Sequence, residues 1–128
     1  MLAHTAETHA LLWWLFQLPH LGPRATAAIE DPASDVYVSA LTAGEIEIKR
    51  AVGKMDGPDD LNVQVELNDF IELPFTIRHG VALREMPMHH RDPLDRMLVA
   101  QARAEGLTLV TADRAMKAYD VPILPATS

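Results

Sequence analysis

Residues 92–113 read DPLDRMLVAQARAEGLTLVTAD, and the fold class follows from them. Pro93 suits the first turn of a helix, where its missing N–H costs nothing, and Gly106 supplies the stop, so the spacing predicts a helix over Pro93–Glu105. Thr108–Thr111 then reads as a short apolar, β-branched strand. Within the helix, Leu98, Val99 and Ala102 fall three, four and seven residues after Asp95, so Asp95 shares their apolar stripe. A carboxylate stands where a core residue belongs. Asp113, a second acid, lies just beyond the strand that follows.

The same alternation extends outward over the whole chain. Strands are predicted at Leu2–Ala6, Asp35–Ser39, Ile71–Pro74, Thr108–Thr111 and Val121–Leu124. Helices are predicted from Thr8 to Phe16, from Pro23 to just before Pro32, from Leu41 to Val52, and over Asp60–Asp69, Thr76–Arg84 and Asp113–Tyr119. Helix and strand in turn are the pattern of an α/β fold with a mainly parallel central sheet of four to five strands flanked by helices. A chain of 128 residues is one ordinary domain, expected to span 1–128, and it shows neither repeat nor linker.

Composition narrows the function classes. With 48% hydrophobic and 23% charged residues the chain is globular rather than disordered. No apolar run approaches the roughly 20 residues needed to cross a bilayer, and Met1–Thr8 lacks the pattern of a signal peptide, so a cytoplasmic location is expected and a membrane partner is not. The absence of cysteine excludes disulfides and thiolate zinc sites. A net charge of −7 argues against a nucleic-acid grip made by bulk positive potential.

Four acids therefore draw attention. Over Leu41–Met55, helical spacing places Leu41, Gly44, Ile48, Ala51, Val52 and Met55 on one face with Glu45 at its edge, and leaves Ile46 exposed. Glu7 and Asp113 sit beyond the first and fourth predicted strands, where open α/β sheets bind ligands. Inward acids without basic partners repel one another unless a cation holds them, and oxygen donors suit Mg²⁺ or Mn²⁺. Plainer roles exist beside this one: Asp92 and Asp113 have the setting of helix N-caps, and Glu45 is spaced to pair with Lys49.

Four strings, in order, resemble the successive motifs of VapC-like PIN domains: Glu7-Thr8-His9-Ala10-Leu11-Leu12-Trp13-Trp14; Val38-Ser39-Ala40 leading to Glu45-Ile46-Glu47-Ile48-Lys49; His89 to Ala102; and Leu109-Val110-Thr111-Ala112-Asp113-Arg114. The resemblance implies a PIN fold whose acidic pocket binds one or two Mg²⁺ or Mn²⁺ ions and cleaves RNA, with Glu7, Glu45, Asp95 and Asp113 in the matching acidic positions. It also implies a toxin, forming a homodimer and neutralised by a VapB-like antitoxin. In that setting Lys49, Arg91, Arg96 and Arg114 are candidates to hold RNA phosphates, and Thr8 and Thr111 to orient a water. The chain departs from the family at Glu7, where aspartate is usual.

That departure supports an alternative: a PIN domain that binds RNA or an antitoxin with weak or no catalysis. A phosphoacceptor receiver domain is a more distant one, because it needs an aspartate on a middle strand and a lysine after a late one, and the third and last strands end in Leu73-Pro74 and Leu124-Pro125. His89 and His90 are adjacent in a loop, without the spacing that brings two imidazoles to one ion, so loop or RNA contact is the expectation. Of Trp13 and Trp14, one is expected in the core and the other at an interface.

Overall fold

The computed structural model describes residues 2–87 and 92–128. His89, His90 and Arg91 lie outside them. β1 (Ala3–Ala6) is followed by α1 (Thr8–Leu15) and α2 (Pro23–Glu30), then by β2 (Asp35–Ser39). Next come α3 (Ala40–Ala51), α4 (Leu61–Leu67) and β3 (Ile71–Leu73). α5 (Ile77–Ala82), a 3₁₀ turn at Leu83–Glu85 and α6 (Pro93–Glu105) lead to β4 (Thr108–Thr111), and a 3₁₀ turn at Arg114–Ala118 leads to β5 (Ile123–Pro125).

The five strands form one sheet in the order β3-β2-β1-β4-β5, and every pairing is parallel. Parallel neighbours cannot be joined by a tight turn, so helices and longer crossovers fill the connections. The chain steps outward from β1 to β3, then returns to place β4 on the other side of β1. The reversal puts a crevice at the carboxyl ends of β1 and β4, the position from which Glu7 and Asp113 issue.

Both sheet faces are covered, as a parallel sheet requires. Adjacent residues of β4 point to opposite faces: Leu109 joins a core with Leu98, Val99, Ala102, Met116 and Tyr119, while Val110 joins one with Leu11, Ile29, Val36, Val38 and Phe70. β1 is unusually polar for a central strand. Its Thr5 is fully buried and donates its hydroxyl proton to the Tyr37 carbonyl at 2.9 Å. His4, also buried, has its pKa lowered by desolvation, which the charge of Asp31 partly offsets.

Gln101 locks α6 to the strand ends. Fully buried, it accepts the Ser39 hydroxyl at 2.6 Å through Oε1 and donates from Nε2 to the Pro74 carbonyl at 3.1 Å. The termini of α6 match its sequence signals, with the Asp92 carboxylate accepting from Leu94 N at 2.9 Å and Gly106 taking the left-handed conformation at φ 67°.

Three expectations are corrected. The stretch Asp113–Tyr119 forms a 3₁₀ turn at Arg114–Ala118 rather than an α-helix, and the last strand begins at Ile123 rather than Val121. Ile46 is 1% exposed, whereas Ile48 and Val52, placed on the buried face of α3, are 61% and 65% exposed. The inward stripe is instead Thr42, Glu45 and Ile46, with Lys49 half-buried. Apolar periodicity misled here because the face turned inward carries the polar side chains of a site. Ile46 is covered by the chain that follows α3, so closely that a Cβ on Gly57 would lie 2.5 Å from its Cγ2.

Candidate metal centre

Glu7 leaves the end of β1 with extended backbone, and its N–H donates to the Val110 carbonyl at 2.9 Å, which ties it to β4 across the crevice. Its side chain turns back as the N-cap of α1, Oε1 accepting from Ala10 N at 3.1 Å. Oε2 lies 3.4 Å from His9 Nδ1. That hydrogen bond to Glu7 raises the His9 pKa, with burial opposing it.

Glu45 comes from the middle of α3 and is 6% exposed. An ionised side chain so buried needs partners, and it has them: Thr8 donates its hydroxyl proton to Oε1, and Lys49, one turn further along the helix, donates to Oε2 at 2.7 Å. The Glu45 bond raises the Lys49 pKa against desolvation, helped by the charges of Glu45, Asp92 and Asp95.

Asp92 and Asp95 come from the start of α6, where the helix dipole favours negative charge. Glu45, Asp92 and Asp95 each offer one carboxylate oxygen such that all three lie within 4.8 Å of one another. An octahedral ion with bonds of about 2.1 Å holds its oxygens about 3.0 Å apart when adjacent and about 4.2 Å when opposite, so the three oxygens would draw closer on sharing one ion. The donor set is all oxygen and fits a hard divalent cation of the Mg²⁺ or Mn²⁺ type.

Glu7 and Asp113 line the same cleft, of about 400 Å³, together with His9, Trp13, Lys49 and Ala112. All four acids expected from the sequence thus face one hollow, although only Glu45 and Asp95 belong to the tight group. Asp113 caps its 3₁₀ turn by accepting from Ala115 N at 2.9 Å.

Asp92 is the residue sequence reasoning missed. It does cap α6, as its setting before Pro93 implied. A carboxylate has two oxygens, however, and a helix turn brings residue 92 beside residue 95. That i, i+3 spacing was the available signal.

The hydroxyls proposed to orient water have protein partners. Thr8 gives its only hydroxyl proton to Glu45, and Thr111 Oγ1 accepts from Asp113 N at 3.0 Å, so each aligns an acidic residue. Among the basic candidates in the described residues, Lys49 alone lines the cleft; Arg114 lies on an adjoining surface with Thr111, Asp113 and Lys117. Arg96 is half-buried, and its Nε is buried without a hydrogen-bond partner among the described residues. Trp13 stacks on His20 with ring centroids 5.2 Å apart, and Trp14 tilts against Phe70 at 6.4 Å, so both are partly buried beside the same core.

The family model of the PIN domain matches residues 6–122. No curated protein matches the chain in sequence. Among solved structures, a chain of VapBC2 from Rickettsia felis, bound to a DNA fragment from its promoter, is similar with a TM-score of 0.73 at 13% identity, over 96% of this chain and 98% of that one. A chain of DNA-bound VapBC from Salmonella typhimurium is similar with a TM-score of 0.67 at 17% identity, over 97% and 98%. FitAcB from Neisseria gonorrhoeae gives 0.65 at 22% identity, over 95% and 96%.

Proposed function

The chain belongs to the PIN domain family, and from that premise we propose that residues 1–128 form one PIN domain acting as a Mg²⁺- or Mn²⁺-dependent endoribonuclease toxin, restrained by a cognate VapB-like antitoxin. The observation that carries the reading is the meeting of Glu45 and Asp95 with Asp92, from α3 and α6, in a cleft that Glu7 and Asp113 also line. Like-charged groups held this close gain from a divalent ion and lose without one.

A bound divalent ion supplies Lewis acidity toward the phosphate and a lowered pKa for a water, the chemistry of phosphodiester hydrolysis. The chain's residues do the rest. Thr8 fixes the plane of the Glu45 carboxylate, the backbone of α6 fixes Asp92, and Glu7 and Asp113 line the other parts of the wall, where we assign to one of them the proton of an attacking water. No covalent nucleophile is required.

The partners follow the same reading. An acidic toxin attracts a basic antitoxin segment, and an arginine reaching the carboxylates would mimic the ion's charge. VapBC and FitAcB chains of the same fold support such a partner. A homodimer is proposed as well, without Ile46, which is buried; Ile77 and Val81 on α5, 87% and 51% exposed, offer apolar surface instead. None of the helices formed by the described residues is long and apolar enough to cross a membrane, and we place the protein in the cytoplasm.

Cleavage of an end-labelled RNA with Mn²⁺, with EDTA, and by Asp95→Asn tests the nuclease. Both EDTA and the substitution are expected to reduce the rate at least about 100-fold, on the scale of losing a group that acts in the transition state. Cleavage surviving both removes the proposal. One observation favours the weaker, binding-only reading: the Glu7 carboxylate is spent on Ala10 N and His9 and stays outside the group of three. RNA bound but uncut by the wild type, with cleavage restored by Glu7→Asp, would establish that alternative.

A further inference from the structure

Glu45 has no unoccupied carboxylate oxygen. Oε1 takes the proton of Thr8, whose side chain is buried at 1% exposure, and Oε2 takes the Lys49 ammonium at 2.7 Å. An ordinary surface ion pair of this spacing has both ends in water. Here the Glu45 side chain is 8% exposed and Lys49 32% exposed, so the ammonium reaches inward from the rim to a buried acid. It reaches the same cleft wall where Asp92 and Asp95 stand.

Without an ion the folded chain still has to hold Glu45 within 4.8 Å of both aspartates. A positive charge against Glu45 lowers the cost of that approach. An ion bound to the three acids would lie within a few ångströms of the ammonium and repel it strongly. Of the two partners of Glu45, Thr8 is enclosed, whereas Lys49 has a long flexible stem and solvent beside it.

Resting on the metal reading given above, we propose that Lys49 is a built-in place-holder for the divalent ion: its ammonium occupies Glu45 while the ion is absent and leaves that oxygen when the ion binds. Released at the rim, the ammonium is available to a phosphate oxygen of the RNA. Lys49 then serves two states of the site in turn, as an internal counter-charge and as a substrate contact.

The test is Mn²⁺ binding by titration calorimetry and thermal unfolding in EDTA and in Mn²⁺, using the full chain, Lys49→Met, Lys49→Arg and Arg50→Met. Arg50→Met removes the same charge one residue along, from a side chain committed to Asp59 and the Pro58 carbonyl. Lys49→Met is expected to bind Mn²⁺ roughly tenfold more tightly, to melt at lower temperature in EDTA, and to gain more from Mn²⁺ than the wild type. Lys49→Arg keeps the charge and should stay near the wild-type affinity, and Arg50→Met should stay within about twofold, its charge being screened. Wild-type binding that Lys49→Met leaves unchanged or weakens overturns the proposal alone, as does equal tightening by Arg50→Met. A wild type that binds no Mn²⁺ at all overturns the metal reading and this proposal with it.

Discussion

Single side chains in this site hold more than one duty. Asp92 caps α6 through Oδ1 and also brings an oxygen to Glu45 and Asp95. The duties separate by substitution. Asp92→Asn keeps an acceptor for the cap and removes the charge, so it should weaken Mn²⁺ binding while leaving the melting temperature nearly unchanged; Asp92→Ala should lose the cap as well, at a cost of about 1 kcal/mol. A large stability loss in Asp92→Asn would show that the charge is structural. Glu7 stands outside the group of three, its carboxylate folded onto its own helix. Calorimetry should therefore find a smaller loss of Mn²⁺ affinity for Glu7→Gln than for Asp95→Asn, and the reverse order would place the ion nearer β1.

At the scale of elements, the site depends on how α6 is hung. Gln101→Ala would strip a fully buried network, leaving the Ser39 hydroxyl and the Pro74 carbonyl without this partner. The expected loss is on the order of 2–3 kcal/mol by denaturant unfolding, since buried polar groups left unpaired cost about 1–3 kcal/mol each. A near-neutral result would mean that water replaces the amide. A second tie joins α5 to α6. Thr76 N donates to His79 Nδ1 at 3.0 Å, so the ring proton sits on Nε2 and is directed at Glu105 Oε1, 2.8 Å away. This bond is the main cause of a Glu105 pKa below its ordinary value. A lowered carboxylate pKa stabilises the fold above the unfolded-state pKa and is lost as pH falls through the folded one. The stability advantage of the wild type over Glu105→Gln should thus be present at neutral pH and vanish in acid, below the usual glutamate range. An advantage that grew on acidification would refute the assignment.

Across the whole molecule, a net charge of −7 limits how RNA can be held. Among the described residues, Lys49 alone of the basic candidates lines the cleft, and Arg114 sits on the adjoining surface. One or two phosphate contacts predict a slope of about −1 for log affinity against log salt, from the single-strand value of about −0.7 per contact. A slope several times steeper, measured by fluorescence anisotropy with the uncleaving Asp95→Asn protein, would reveal a basic surface elsewhere. The fold also depends on the tight passage of residue 57 over α3. A methyl group at Gly57 would meet Ile46, so Gly57→Ala should destabilise by about 1–3 kcal/mol, the usual cost of overpacking, as read from the shift in unfolding midpoint.

The local signals of this chain were strong enough to determine the order of helices and strands, the Pro93 and Gly106 boundaries of α6, and four acids at places a core or a strand end would not choose. Those features rest on neighbours in sequence, through dihedral preference, capping and side-chain spacing. The tertiary structure alone decided which face of α3 turns inward, because burial there follows the polar needs of Thr42 and Glu45 and not the count of aliphatic side chains. It also decided that Asp92 joins Glu45 and Asp95, that Glu7 lines the cleft but stays outside that group of three, and that Lys49 reaches into it. Spacing along one helix allows the approach of Asp92 to Asp95 and of Glu45 to Lys49, but that α3 and α6 bring both pairs into one cleft is a matter of distance between elements.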